Sequence, residues 1–290
     1  MPRIKTNNMS FEYKIFGTEN DNTILLIQGL GMQLIDWPDT LIKTLSTSFR
    51  VIVFDNRDSG LSSKMMAPEA QYHPDMSECD ISESRYNLHD LAQDTINLAD
   101  SLNISTFHLI GFSMGGMIAQ LVAAKFPERV LSLVSLLSSG GQTDMISTSE
   151  AMERMNISCR RSNVNDAVDA AVISDTVFSG SKHTCDTTQS EISARKAILR
   201  SYYPEGTYRQ GLAIRSTPCR QALLAQIKAP TFIIHGKEDP CIHWQQAAEA
   251  HKLIKNSQFW LVKDLGHDFP DGFTRLLGTR LINFLANTAN

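Results

Sequence analysis

Ser113 stands in Leu109-Ile110-Gly111-Phe112-Ser113-Met114-Gly115-Gly116, a G-x-S-x-G segment between an apolar run, Thr106–Gly111, and an Ala/Met-rich stretch, Met114–Phe126, that Pro127 closes. Two glycines allow a sharp strand-to-helix turn with no Cβ to crowd it. Such a turn lifts the serine hydroxyl off the sheet and aims the next N–H, that of Met114, into the same space. The chemistry this points to is nucleophilic attack by a hydroxyl. The plainer alternative is a glycine turn with a helix-capping serine. The strand before the motif and the helix after it favour the nucleophile.

A serine hydroxyl needs a base to take its proton. His267, in Asp264-Leu265-Gly266-His267-Asp268, follows the last apolar strand run and can face the sheet's C-terminal edge. His235 ends a strand run and reads as a buried structural residue, and His108 lies inside a strand. His73, His183, His243 and His251 sit in polar contexts, and His89 lies beside Asp90 on a helix. The base in turn needs a carboxylate to fix its tautomer. Asp239, in Gly236-Lys237-Glu238-Asp239-Pro240, follows the penultimate strand, and Pro240 restricts its loop. The plainer alternative, a turn-forming aspartate, is common in Asp-Pro pairs. Asp144, after an earlier strand run, is the competing acid. A tetrahedral intermediate requires two preset donors. The Met114 N–H is one, and the Leu30 N–H in Gln28-Gly29-Leu30-Gly31 is the other.

Gly29-x-Gly31 also invites a dinucleotide reading, with Asp55 at the end of the next strand in the place of a ribose-binding acid. The fingerprint fails at its third glycine, where Leu34 stands, and no cofactor is expected.

These residues must be held by a frame, and the chain supplies one. Apolar runs at Thr23–Gln28, Arg50–Asp55, Thr106–Gly111, Val130–Leu137, Thr231–His235 and Gln258–Val262 read as strands covered on both faces. Leu88, Leu91, Ala92, Thr95, Leu98, Ala99 and Leu102 follow helical spacing. Met114–Phe126, Trp244–Ile254 and Phe273–Ala286 read as further helices. Alternating strands and helices predict an α/β protein with a mostly parallel sheet and helices on both faces. The rhythm breaks between Gly140 and Pro218, where Ser149–Arg161, Val164–Phe178 and Gln189–Tyr203 look helical and the joint Ser179–Thr188 is polar. Residues 1–139 and 219–290 are read as the core and 140–218 as a helical insertion.

Composition sets the outer bounds. The 290 residues are 42% hydrophobic and 20% charged, with net charge −4. That excludes a disordered chain and offers no basic excess for nucleic acid or an anionic membrane. Five widely spaced cysteines, Cys79, Cys159, Cys185, Cys219 and Cys241, form neither a disulfide framework nor a zinc pattern, and no metal is expected. A cytoplasmic protein with no membrane span is the expectation, since the N-terminus is polar and apolar runs are short. A homodimer is left open.

Together the Gln28–Met32 turn, the Gly111–Gly115 elbow, the Gly236–Pro240 acid loop and Gly266-His267-Asp268 resemble the α/β-hydrolase fold family. Phe54-Asp55-Asn56-Arg57-Asp58-Ser59-Gly60-Leu61-Ser62 is similar to the family's D-x-R-G-x-G-x-S loop. The likeness is to the branch with aclacinomycin methylesterase and the proline-iminopeptidase-like hydrolases. It implies an eight-stranded sheet and a helical cap over the active site. The chain departs from the family at Gln28, where histidine is usual, and at Asp58, where glycine is usual; a local backbone change is expected at Asp58. Phe112 and Met114 replace the elbow residues of the iminopeptidases, and Ser113 excludes a dehalogenase route through aspartate.

The resulting expectation is a serine hydrolase of a small-molecule carboxylic ester. Its catalytic residues are Ser113, His267 and Asp239, its oxyanion donors the N–H groups of Leu30 and Met114, and its pocket residues Met32, Trp37, Phe112 and Met114. Three alternatives are weighed against it. A cofactor-free perhydrolase or haloperoxidase would use the same triad. An amidase or aminopeptidase would need a cap carboxylate such as Glu150, Glu153 or Glu205. A non-catalytic binding protein would need no triad.

Overall fold

The computed structural model describes residues 2–6, 9–65, 79–143, 146–160, 162–182 and 185–288. The short apolar runs become parallel strands. β3 (Thr23–Ile27), β4 (Arg50–Phe54), β5 (Phe107–Phe112), β6 (Val130–Leu136), β7 (Thr231–Gly236) and β8 (Ser257–Val262) pair in parallel. All five residues of β3 and all six of β5 and of β7 are buried, which is why these segments are continuously apolar. Two strands the sequence reading did not mark, β1 (Arg3–Lys5) and β2 (Ser10–Phe16), add antiparallel at one edge. Apart from Phe11 and Glu12 their residues are half-buried or exposed, so they carry no unbroken apolar run. The sheet has eight strands in the order β1-β2-β4-β3-β5-β6-β7-β8.

Side-chain alternation along the strands sorts the core into two layers. Leu25 and Ile27 of β3 pack with helices α2 (Leu88–Ser101) and α3 (Met114–Lys125) and with α9 (Trp244–Leu253). Ile24 and Leu26 face the other side, against α1 (Asp39–Ser46) and α10 (Asp271–Ala286). Asn87 starts α2 with a capping box closed by Asp90.

After β4 the chain crosses β3 and re-enters the sheet at β5 on the far side. That reversal opens a crevice at the strands' C-terminal ends between β3 and β5, the place where open α/β sheets bind ligands. The turn after β3 and the elbow after β5 both lie there.

Between β6 and β7 run α4 (Ser149–Ser158), α5 (Val164–Phe178), α6 (Thr187–Arg200) and α7 (Pro204–Ser216), followed by the single turn α8 (Gln221–Leu224). Thr148, Asn163 and Asp186 cap α4, α5 and α6 with their side chains. Helix α7 is an addition to the sequence reading. Its buried face includes Arg209 and Gln210, polar residues that reach partners in the core loops, so it shows no apolar periodicity. Among the described residues, no helix is long and apolar enough to cross a membrane.

Candidate active site

The elbow is tight enough that its glycines are obligatory. A Cβ on Gly111 would lie 2.1 Å from the carbonyl oxygen of Gly115, and one on Gly115 would lie 2.0 Å from that of Ile27. Ser113 takes φ 54° and ψ −120° at the N-terminus of α3. A non-glycine residue held there costs on the order of 1–3 kcal/mol. The turn is over-determined by its hydrogen bonds. The Ser113 N–H donates to Leu136 O at 2.9 Å, and Ser113 O accepts from Gly116 N at 2.9 Å and from Ser138 Oγ at 2.8 Å.

The structure brings three of the expected residues together. His267 Nε2 lies 3.0 Å from Ser113 Oγ, and His267 Nδ1 lies 2.7 Å from Asp239 Oδ2. The loops after β5, β7 and β8 thus meet at one imidazole. Asp239 is buried, and its other oxygen accepts from the N–H groups of Cys241 and Ile242, both at 2.8 Å. Burial pushes its pKa up, but His267 and His235 outweigh that and hold Asp239 below the usual carboxylate range. Asp144, the competing acid, lies outside the described residues, as do His73 and His183.

His235 is fully buried, as a structural histidine should be. Its Nε2 lies 2.7 Å from Ile242 O and 3.2 Å from Asp239 Oδ2, so it also steadies the carboxylate, a contact the sequence reading did not find. The i, i+4 spacing across the Gly236–Asp239 turn is the one signal that could have suggested it. His108 is buried in β5 with Nδ1 2.8 Å from Ser132 Oγ.

The turn after β3 lies beside the elbow. A Cβ on Gly29 would come within 3.3 Å of Ser113 Cβ and of the Phe112 ring. Met114 is the first residue of α3, where an N–H has no intrahelical acceptor. Among the described residues, neither its N–H nor that of Leu30 donates to a protein acceptor.

The expected pocket residues converge here. Phe112 stacks at an angle on the His267 ring, with centroids 5.1 Å apart, and Trp37 packs edge-on to Phe112 at 6.5 Å. Phe269 touches both, 4.7 Å from Phe112 and 5.9 Å from Trp37, and Phe178 of α5 meets His267 at 6.1 Å. These last two phenylalanines had no marking motif in the sequence. A cavity of about 1830 Å³ opens over Ser113 and His267, with Met32, Trp37 and Phe112 on its core wall and Met155, Phe178 and Ile198 on the wall from the insertion. Glu150, Glu153 and Glu205 do not line it.

Two acids from the loop after β4 have structural duties. Asp55 accepts from the N–H groups of Leu34 and Leu61 and from Arg200 Nη2 at 2.8 Å, which leaves it no role in ribose binding. Asp58 does not show the expected backbone change. It takes φ 64°, the left-handed conformation that glycine favours. Its carboxylate is held by Arg209 at 2.8 and 2.9 Å and by the Tyr86 hydroxyl at 2.9 Å, contacts that offset the strain. Among the described residues, no group of three or more His, Cys, Asp or Glu side chains is placed to hold a metal ion.

A sequence model of the alpha/beta hydrolase fold matches residues 22–271. The chain belongs to that family. Among its relatives, rhodomycin D methylesterase DnrP of Streptomyces peucetius is 32% identical over 130 residues, which are 44% of this chain and 38% of that protein. The matched part thus spans about two fifths of that methylesterase's length. The serine hydrolase BPHL of Homo sapiens is 25% identical over 279 residues, 94% of this chain and 84% of that protein. An enol-lactonase from Burkholderia xenovorans LB400 has the same fold, with a TM-score of 0.78 at 22% identity over 98% of this chain and all of that one.

Proposed function

We propose that the protein is a serine hydrolase that cleaves a carboxylic ester with its own side chains through an acyl-enzyme. The observation that carries this reading is the hydrogen-bonded line from Ser113 Oγ through the His267 ring to Asp239. Ser113 attacks the acyl carbon while His267 Nε2 takes its proton. Asp239 holds the Nδ1–H and stabilises the imidazolium. The N–H groups of Leu30 and Met114 receive the developing oxyanion; a preset donor of this kind is worth roughly 3–4 kcal/mol. His267 then returns the proton to the leaving alcohol and activates the water that frees the acid.

The helices from α4 to α7 act as a cap, burying the substrate and limiting water. A cavity of about 1830 Å³, with Met and aromatic side chains on both walls, suits a bulky, mainly apolar acyl group. The ester reading is preferred to an aminopeptidase because none of Glu150, Glu153 and Glu205 lines the cavity to grip a substrate amine. The name of the methylesterase relative supports the same choice.

The test is a panel of p-nitrophenyl esters of increasing acyl length beside a panel of aminoacyl anilides, with fluorophosphonate labelling of Ser113. Turnover of esters and stoichiometric labelling at Ser113 are expected. Faster turnover of the anilides would replace the esterase reading with a peptidase one, and failure to label would remove both.

A further inference from the structure

We propose that Gln210, on α7, is a positioning residue that holds the Gly29–Gly31 turn, and with it the Leu30 N–H, in the geometry that receives the oxyanion. This rests on the serine hydrolase reading above and adds to it a residue far from Ser113 in sequence.

The turn needs outside support. Met32 N–H donates to Gly29 O at 3.3 Å and closes four residues, with Gly31 in the left-handed region at φ 69°. The peptide between Leu30 and Gly31 makes no hydrogen bond within that turn. Its N–H, on Gly31, donates instead to Gln210 Oε1 at 2.8 Å. The other half of the same amide, Gln210 Nε2, donates to Arg57 O at 2.7 Å. Only this orientation of the amide satisfies both neighbours, since an N–H needs an acceptor and a carbonyl needs a donor.

The clamp is itself anchored at both ends. Arg57 forms a bidentate pair with Asp94 of α2, at 2.5 and 2.6 Å, so the carbonyl that Gln210 grips belongs to a fixed loop. Gln210 has no solvent exposure, and one turn earlier on α7 Thr207 closes off the space beside Gly31, where a Cβ would lie 2.8 Å from Thr207 Oγ1. On its other side the turn meets Ser113 through Gly29. Leu30 is therefore caught between a glycine that touches the nucleophile and a glycine that Gln210 holds.

An oxyanion donor is effective because it is preset, and a misplacement of about 1 Å can cost on the order of 100-fold in rate. Removing the clamp should therefore reduce transition-state binding far more than ground-state binding. The substrate's acyl group still meets the same walls.

The experiment compares wild type, Gln210→Met and Gln210→Glu with p-nitrophenyl acetate and with a trifluoromethyl ketone, which forms a tetrahedral adduct. In Gln210→Met, kcat should fall roughly 10–100-fold, KM should stay within about threefold, and affinity for the ketone should fall by the same factor as kcat/KM. Gln210→Glu, its buried carboxyl kept protonated by the lack of solvent, retains an acceptor for the Gly31 N–H and a donor for Arg57 O, so its kcat should stay within about fivefold of wild type. A loss below threefold in folded Gln210→Met, a loss carried by KM, or unchanged affinity for the ketone overturns the proposal. Should Gln210→Met fail to fold, Gln210→Glu decides: more than a tenfold loss there overturns it, and near-wild-type kcat supports it. A wild-type protein that neither turns over the ester nor labels at Ser113 overturns the hydrolase reading itself, and that result is visible before any variant is compared.

Discussion

The backbone N–H of His267 donates to the carbonyl oxygen of Phe178 at 2.7 Å, joining the loop after β8 to the last residue of α5. The approach is close on both sides. A Cβ on Gly266 would lie 2.0 Å from Phe178 O, and one on Gly180 would lie 2.3 Å from Asp264 O. Just beyond, the Ser181 N–H and hydroxyl donate to the Glu238 carboxylate at 2.6 and 2.9 Å. Residues 178–181 thus grip the loops that carry the imidazole and its carboxylate. From its polar composition the joint Ser179–Thr188 is expected to be among the more mobile segments; its first residues are instead tied to the core.

Gly266→Ala follows directly from that contact. With no room for a methyl group, the loop must shift and carry His267 away from Ser113. We expect kcat on an activated ester to fall on the order of 100-fold. Steady-state kinetics alongside thermal unfolding will check it, and activity within threefold of wild type would mean that the loop yields without moving the imidazole.

Ser113→Ala should lower kcat by roughly 10⁴–10⁶-fold while the protein stays folded. The elbow's hydrogen bonds run through backbone atoms and Ser138, so the hydroxyl is not needed to hold it. Retention of more than a tenth of wild-type activity in pure protein would remove Ser113 from the chemistry.

Asp239→Asn should lower kcat about 10³–10⁴-fold near neutral pH. The carboxylate accepts from His267, His235, Cys241 and Ile242, and an amide presents an N–H to one of these donors whichever way it is turned. Asp144→Asn is the control. Loss of activity there with Asp239→Asn intact would move the acid to the segment after β6.

Stability should depend on pH through His108. Burial holds its imidazole down to about 4 against an ordinary value of 6.5. The folded state then binds fewer protons than the unfolded chain between those values, so the contribution is intact above about pH 6.5 and is lost as pH falls toward 4. Urea midpoints measured from pH 7 to 4 should therefore fall less steeply in His108→Leu than in wild type. Parallel curves for the two proteins would show that His108 does not titrate in this way.

What the sequence disclosed, and what it hid, divides along a physical line. The strands from β3 to β8 are legible because both faces are covered, which forces unbroken apolar runs such as Thr23–Ile27 and Phe107–Phe112. The elbow is legible because only glycine fits at positions 111 and 115. β1 and β2 are hidden because most of their residues are half-buried or exposed, and α7 because Arg209 and Gln210 share its buried face with Tyr208 and Leu212 and interrupt the apolar periodicity. Phe178 lies 89 positions before the His267 ring it meets, Phe269 lies 157 after Phe112, and Gln210 lies 179 after the Gly31 whose N–H it accepts. No local spacing encodes such meetings.

The buried pair between Asp58 and Arg209 limits how the insertion can be treated. Asp58 lies in the core loop after β4 and Arg209 on α7, and both side chains are nearly inaccessible to water. Grafting in a stretch that packs against Asp58 in the same way but lacks Arg209 would leave a buried carboxylate without its counter-charge, a change that costs about 3–5 kcal/mol. The last helix of the insertion is in this sense part of the foundation rather than an exchangeable module. Recombination of specificities between relatives would have to stop short of Pro204, or carry Asp58 and its Tyr86 partner along with the graft.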